Sequence, residues 1–318
     1  MRVFVAGATG AVGKRLVPLL VAHGHSVVGM TRSPEKAGLL REMGAEPVVA
    51  DGLDRKAVMQ AVTGSRSDVV VHQLTALTGI KSFRRFDHDF ALSNRLRTEG
   101  IDHLLEAALA VGARRFVAQS YGNWNYARTG DGPKTEDDPL DPSPPPNQAE
   151  SLDAIRYLEQ AVAGAQGIDG LALRYGNFYG PGTGFAQDGD LVALVRKRRL
   201  PIIGDGGGVW SFVHVDDVAT ATLAAVERGA SGIYNVADDE PAPVAAWLPE
   251  LARAVGAKPP RRVPVWLGRM AAGEVGVSMM TRIRGASNAK AKRELGWQPR
   301  YASWREGFRT GLGDPPPP

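Results

Sequence analysis

The 318 residues carry 38 Lys+Arg against 34 Asp+Glu, a formal net charge of +4, and 43% of them are apolar. That is enough for one large domain, or a large domain with a smaller lobe, and too little basic excess to imply a nucleic-acid partner. Cysteine is absent, which excludes disulfides and thiolate chemistry, and the six histidines show no metal-ligand spacing, so no metal is expected.

"MRVFVAGATG" enters a strand at once and no apolar run reaches membrane-spanning length, which predicts a soluble, cytoplasmic chain without membrane contact. Strand "RVFVAGA" passes through a glycine-rich turn into the helix "AVGKRLVPLLVAHG", which Pro18 should bend and Gly24 should end. There follow strand "HSVVGMT", a helix near 34–43, strand "AEPVVAD", a helix near 54–63 and strand "DVVVHQLT". One long helical region over 88–111 then leads to strand "ARRFVAQS". This alternation predicts an α/β fold, a Rossmann-type doubly wound parallel sheet with helices on both faces.

Residues 127–149 are polar and rich in Pro and Gly, and a loop of that length is expected to be functional or mobile. The amphipathic helix "ESLDAIRYLEQA" comes next, with Leu152, Ile155, Leu158 and Val162 on one stripe and Asn147 with Glu150 as a candidate capping box. Strand "GLALRYG", the strand-helix unit "VWSFVHVDDVATATLAAVERG" and strand "GIYNVAD" complete the pattern.

"GATGAVG" sets Gly7, Gly10 and Gly13 between the first strand and first helix, with Thr9, Ala11 and Val12 filling the turn. Glycine there permits the tight turn, close approach of a pyrophosphate to backbone N–H groups, and close helix–strand packing. In a βαβ unit this predicts dinucleotide binding. At the end of the second strand Thr31 stands where an acid would favour NAD, followed by Arg32, with Ser33 and Lys36 close by. A guanidinium suits a 2′-phosphate, so NADP is the expected cofactor, with NAD the alternative if Arg32 is only a surface cation. Asp51 and Gly52 are expected near the adenine; a strand-end cap is the competing role for Asp51.

With these pieces, together with "VVVHQLTA", "LLEAALAVGARRFVAQS", "LALRYGNFYGPGT", "GDGGGVWSFVHVDDVA" and "AKRELGWQPR", the chain resembles an extended short-chain dehydrogenase/reductase of the NAD-dependent epimerase/dehydratase family. The resemblance implies a dinucleotide-binding domain over 1–175 and 212–238, a smaller discontinuous C-terminal substrate lobe over 176–211 and 239–312, and a flexible tail over 313–318. It also places Gln73, Leu74, Thr75, Asn94, Tyr175 and Asn177 along the cofactor or at its nicotinamide end. A homodimer through a helix pair is its common assembly.

In that family a Tyr four residues before a Lys on one helix exchanges a proton with the substrate oxygen, the Lys lowering the phenol's pKa. Aligning the family's later Glu with Glu159 puts Ser151 at the Tyr position and Ile155 at the Lys position. None of the seven tyrosines has Lys at +4, so this dyad is absent. Tyr121 takes the position of the family's hydroxyl residue, with Ser120 before it and Tyr126 five beyond, and these are the candidate catalytic groups. The alternative is that the aromatics, with Trp124, line the pocket. Where sugar-nucleotide members carry an Arg for the diphosphate, this chain has Trp210, which with Phe178 suits an apolar small-molecule substrate. The expectation is an NADP(H)-dependent oxidoreductase acting on a largely apolar carbonyl or alcohol. The alternatives are a non-redox isomerase, cyclase or lyase holding a structural dinucleotide, or a sensor without turnover.

Overall fold

The structure, a computed structural model, describes residues 1–76 and 83–313, so most of the expected C-terminal tail lies outside the described residues. Six strands alternate with helices through the first half: β1 (Arg2–Ala6), β2 (Ser26–Thr31), β3 (Glu46–Val49), β4 (Val69–His72), β5 (Arg115–Tyr121) and β6 (Asp169–Tyr175). The helices between them are α1 (Gly13–Ala22), α2 (Ala37–Glu42), α3 (Arg55–Ser65), α4 (Phe86–Arg97), α5 (Glu99–Ala110) and α6 (Ala149–Ala163). Beyond β6 come β7 (Asn177–Tyr179), α7 (Asp190–Arg196), β8 (Ile202–Ile203), β9 (Val209–Trp210), β10 (Phe212–His214), α8 (Val215–Glu227) and β11 (Gly232–Val236). The C-terminal part holds β12 (Ala242–Pro243), α9 (Val244–Ala254), β13 (Arg262–Val263), α10 (Val265–Thr281), α11 (Ala289–Leu295) and α12 (Trp304–Thr310).

The main sheet has seven parallel strands in the order β11-β6-β5-β4-β1-β2-β3. Both faces are covered, so side chains alternate between two cores. Val3, Val5, Val69, Val71, Val117, Leu171 and Leu173 point to the core shared with α1 and α8. Phe4, Ala6, Val70, Phe116, Ala118 and Ala172 point to the opposite core, which holds side chains of α3, α5 and α6. The strand order changes sense between β1 and β4, and the crevice above their C-terminal ends is where ligands of such sheets bind.

A third core, around Trp210, Phe212, Trp247, Trp304 and Phe308, belongs to the smaller lobe. The expected lobe boundary is not clean: Ala291, Leu295 and Trp297 pack with the main sheet's α1–α8 core. The single helix expected over 88–111 is two, because Thr98 leaves helical geometry and its hydroxyl donates to the Asn94 carbonyl at 3.1 Å. Pro18 sits inside α1 without ending it.

The loop after β5 is pinned rather than free. Lys134 N–H donates to Gly285 O at 2.6 Å, Ser287 N–H to Lys134 O at 2.7 Å, and Arg128 pairs with Asp141 at 2.9 Å, so the loop ties the sheet to the lobe. No helix among the described residues is long and apolar enough to cross a membrane.

The capping box is not formed. Asn147 donates instead to Phe83 O (3.3 Å) and Arg84 O (2.9 Å), and no residue of α6's own entry caps it by a side chain. The orphan N–H groups of Glu150 and Ser151 are taken by the carboxylate of Asp87, from α4, at 3.2 and 2.9 Å. Replacing Asp87 by Ala should therefore lower unfolding stability by about 2 kcal/mol, more than an exposed cap is worth, because the freed donors are buried. Urea melts of Asp87→Ala beside Asp89→Ala, in the same first turn, check this.

Candidate active site

The loop from β1 to α1 is shaped by two glycines that no other residue can replace. Gly7 has φ +88°, and a Cβ there would lie 2.6 Å from Gln73 O; a Cβ on Gly13 would lie 2.5 Å from Ala8 O. Gly10 differs: it is exposed and a Cβ would meet only Gly7 O, at 3.3 Å, so its bareness serves whatever approaches from outside. Arg15, one turn into α1, holds the loop by bonds to Ala11 O at 3.2 Å and Asp216 at 2.8 Å. Thr9 and Thr31 hydroxyls lie 3.3 Å apart, and Thr31 also accepts from Ser33 N–H at 3.2 Å. Arg32 and Lys36 are exposed beyond the end of β2. Asp51 accepts from Leu53 N–H at 3.0 Å, so its carboxylate shapes the strand-end turn, and Gly52 is buried against Leu74.

At the end of β4, His72 is buried and clamped. Its Nδ1 accepts from Leu74 N–H at 3.1 Å, which leaves Nε2 to donate to Leu96 O at 3.1 Å, and burial lowers its pKa to about 4. Gln73 donates to the Tyr175 hydroxyl at 2.9 Å, and Tyr175 meets Thr222 at 2.7 Å; both side chains are buried below the crevice. The Gln73 Oε1 and Asn177 Nδ2 atoms are buried without a partner. These two orphans, the bare Gly10 and the α1 N-terminus fit a dinucleotide: the loop would take the phosphates, and Gln73, Leu74, Thr75 and Asn177 the nicotinamide end.

The helix α6 is fixed by one buried ion pair. Glu159 receives both Arg174 Nε (2.7 Å) and Nη2 (2.6 Å), and Ser120 donates to the same carboxylate at 2.7 Å. The charge and hydrogen bonds of Glu159 raise the Arg174 pKa although its burial works the other way. The Tyr126 hydroxyl accepts from Arg174 at 2.9 Å and donates to Asn235 at 2.5 Å, with burial pushing its pKa up to about 12. Ser120 and Tyr126 therefore lie in a closed scaffold network, which corrects their reading as proton donors at the reacting end.

Ser151 is also closed: fully buried, it donates to Asp87 at 2.6 Å and accepts from Asn94 at 3.0 Å. Ile155 is packed in the lobe-side core with Phe86 and Trp124. Tyr121 is half-buried and donates to Asn177 at 2.7 Å, the neighbouring charge of Arg97 only partly opposing the burial that raises its phenol pKa. Trp124 meets Phe86 edge-on at 5.3 Å and tilts against Tyr121 at 5.6 Å, making a wall. Phe178 is half-buried against Tyr175 at 5.6 Å. Trp210 is withdrawn from the wall expected of it: its indole donates to Met279 O at 2.8 Å and it packs 4.9 Å from Trp247 in the lobe core.

Two residues here have no counterpart in the sequence-based expectations. Asp87 sits in "FDHDF" and nothing local separates it from Asp89. Arg97 did carry a signal: with Ser93, Leu96 and Gly100 it falls on the buried stripe of α4 and α5 at helical spacing.

The family model for "NAD dependent epimerase/dehydratase family" matches residues 3–237. Among curated proteins the chain is similar to a 3-diazoavenalumate denitrifying reductase of Streptomyces sp, 47% identical, covering 97% of this chain and 99% of the relative. It is also similar to a 4-hydroxy-2-methyl-3-oxo-4-farnesyl-3,4-dihydroquinoline-1-oxide ketoreductase of Stigmatella aurantiaca, 31% identical over 81% of this chain and 74% of the relative. Among solved structures, the Thermus thermophilus UDP-glucose 4-epimerase complex with NAD superposes with a TM-score of 0.73 at 28% identity, covering 98% of each chain.

Two stability measurements probe this geometry. Glu159→Ala strands a buried guanidinium and should cost about 3–5 kcal/mol in urea melts, while Glu159→Leu with Arg174→Met should recover much of the loss. His72 titrates near 6.5 when unfolded and near 4 when folded, so its contribution is complete above pH 6.5 and is lost as pH falls towards 4. Melts across that window should show about 3 kcal/mol of acid-side loss that His72→Asn lacks.

Proposed function

Because the chain belongs to the NAD dependent epimerase/dehydratase family, we propose that it is an NADPH-dependent reductase that works without a tyrosine–lysine proton donor and reduces a small aromatic substrate bearing a diazo group. The observation that carries this reading is α6, where buried Ser151 and core Ile155 stand at the positions aligned with the family's acid and its cation. When bound, the dinucleotide supplies a hydride. Gly7, Gly10 and Gly13 hold its phosphates, and Thr31 without a carboxylate, beside exposed Arg32 and Lys36, favours the 2′-phosphate of NADPH over NADH.

A carbonyl that takes a hydride becomes an alkoxide and needs a proton at once. Tyr121 is a poor source, because burial raises its pKa and no lysine offsets this. A diazonium that takes a hydride on its terminal nitrogen becomes a neutral diazene. Its C–N bond then breaks, N2 leaves with no charge, and the carbon takes up the proton lost from nitrogen. The balance is R–N2⁺ plus hydride giving R–H plus N2, with no acid in the first step. The 47%-identical relative, named a 3-diazoavenalumate denitrifying reductase, supports this chemistry. The residues then orient and shield: Tyr121 stays neutral and holds Asn177 in place, and Trp124 with half-buried Phe178 excludes water. The second reading, reduction of a carbonyl, draws on the 31%-identical ketoreductase and would need Tyr121 as acid.

The two readings separate on substrate and on one variant. Purified chain with NADPH should convert an aryl diazonium carboxylate with one N2 released per NADPH oxidised, well above the enzyme-free rate. Tyr121→Phe should keep that rate within about threefold, whereas an acid role would cost about 100-fold or more. Arg32→Ala should raise KM for NADPH about tenfold and leave NADH unchanged. Reduction of ketones with the diazo compound inert would overturn the proposal.

A further inference from the structure

Arg97 closes α4 with its side chain turned into the protein, 6% exposed. Burial lowers its pKa to about 10, so it remains a cation at neutral pH. A buried charge is costly unless it is paired, and Arg174, the other buried arginine among the described residues, is held by both oxygens of Glu159. Arg97 has no carboxylate partner among the described residues; its one hydrogen bond is to Asn94 Oδ1 at a long 3.4 Å. The nearby acids are committed. Glu159 is satisfied by Arg174 and Ser120, and Asp87 by the end of α6 and the Ser151 hydroxyl. The C-terminus of α4 offers only a partial negative charge.

The surroundings of this cation are the facing ends of α4, α6 and β5. Burial raises the Tyr121 pKa and the Arg97 charge works against it, while Glu159, already engaged by Arg174, is the carboxylate whose charge reaches Arg97. Asn94, which it touches, holds Ser151, and Tyr121 holds Asn177, whose amide nitrogen is itself buried without a partner. We infer that Arg97 is a substrate-binding residue: its guanidinium takes an oxyanion of the substrate beside Tyr121 and thereby sets specificity for anionic aromatic molecules. This rests on the crevice between Tyr121, Trp124 and Asn177 being the substrate site, and not on the diazo chemistry. The oxyanion can be a carboxylate or a phenolate; both present a charged oxygen to a planar donor fork.

The test reads binding rather than turnover. NADPH-loaded protein is titrated with 4-hydroxycinnamate, its methyl ester and 4-methoxycinnamate, followed by fluorescence of the bound NADPH. In the unaltered chain the dianion-capable probe should bind at least tenfold more tightly than one of the capped probes. Loss on esterification assigns the carboxylate, and loss on methylation of the phenol assigns the phenolate. Arg97→Met should weaken that probe about 30-fold or more and leave the capped probe within about twofold, with NADPH affinity unchanged. Arg97→Lys should recover part of the loss. Equal affinity of charged and capped probes for the unaltered chain overturns the inference without any variant. So does an equal loss for all probes in Arg97→Met, or a fall in NADPH affinity. Failure of diazo reduction alone leaves the anion preference standing.

Discussion

The Glu159–Arg174 pair is the constraint on which the site geometry depends. Its two hydrogen bonds join α6 to β6, and the Ser120 hydroxyl joins the same carboxylate to β5. Tyr126 and Asn235 carry the connection to β11, and Glu136 accepts from Asn235 N–H at 2.6 Å, bringing in the loop after β5. Five segments are thereby tied together. The N-terminal turn of α6 is held separately by Asp87, so the helix carrying Ser151 and Ile155 is fixed at two points.

Within that frame the first half of α6 is packing: Ser151 is buried and Ile155 lies in the lobe-side core. An aliphatic side chain where a cation is aligned removes the charge that would acidify a neighbouring phenol, and a short buried hydroxyl removes the phenol itself. The polarity has moved to the facing helix, where Asn94 and Arg97 stand, and to the end of β5, where Tyr121 does. The proposed reduction and the proposed anion site both rest on this arrangement of Tyr121, Asn94 and Arg97.

The sequence made the sheet legible because parallel strands buried on both faces are short apolar runs set between amphipathic helices, and the glycine loop names its own position. It also exposed the missing dyad, since absence at a fixed spacing needs no coordinates. What it hid were contacts between segments. Asn147 and Glu150 have the right types and spacing for a local cap, but a carboxylate arriving from α4 outcompetes them. The break at Thr98 leaves no glycine or proline as a sign, only a β-branched hydroxyl returning to the backbone. Trp210, exposed in expectation as a substrate wall, is drawn inward by Trp247 and by the Met279 carbonyl, partners about 37 and 69 residues away.

The cap that Asp87 provides has a consequence for how such a site changes over time. A helix that starts on its own capping box must conserve those residues to exist at all. Here the start of α6 is held from outside, by a side chain 63 and 64 residues away in sequence. The first turn is therefore released from maintaining its own boundary, and the start of the helix depends on Asp87 rather than on the residue types at 147 and 150. The reverse also holds: the first N–H groups of α6 are satisfied only while α4 is docked, so loosening of one helix end is felt at the other.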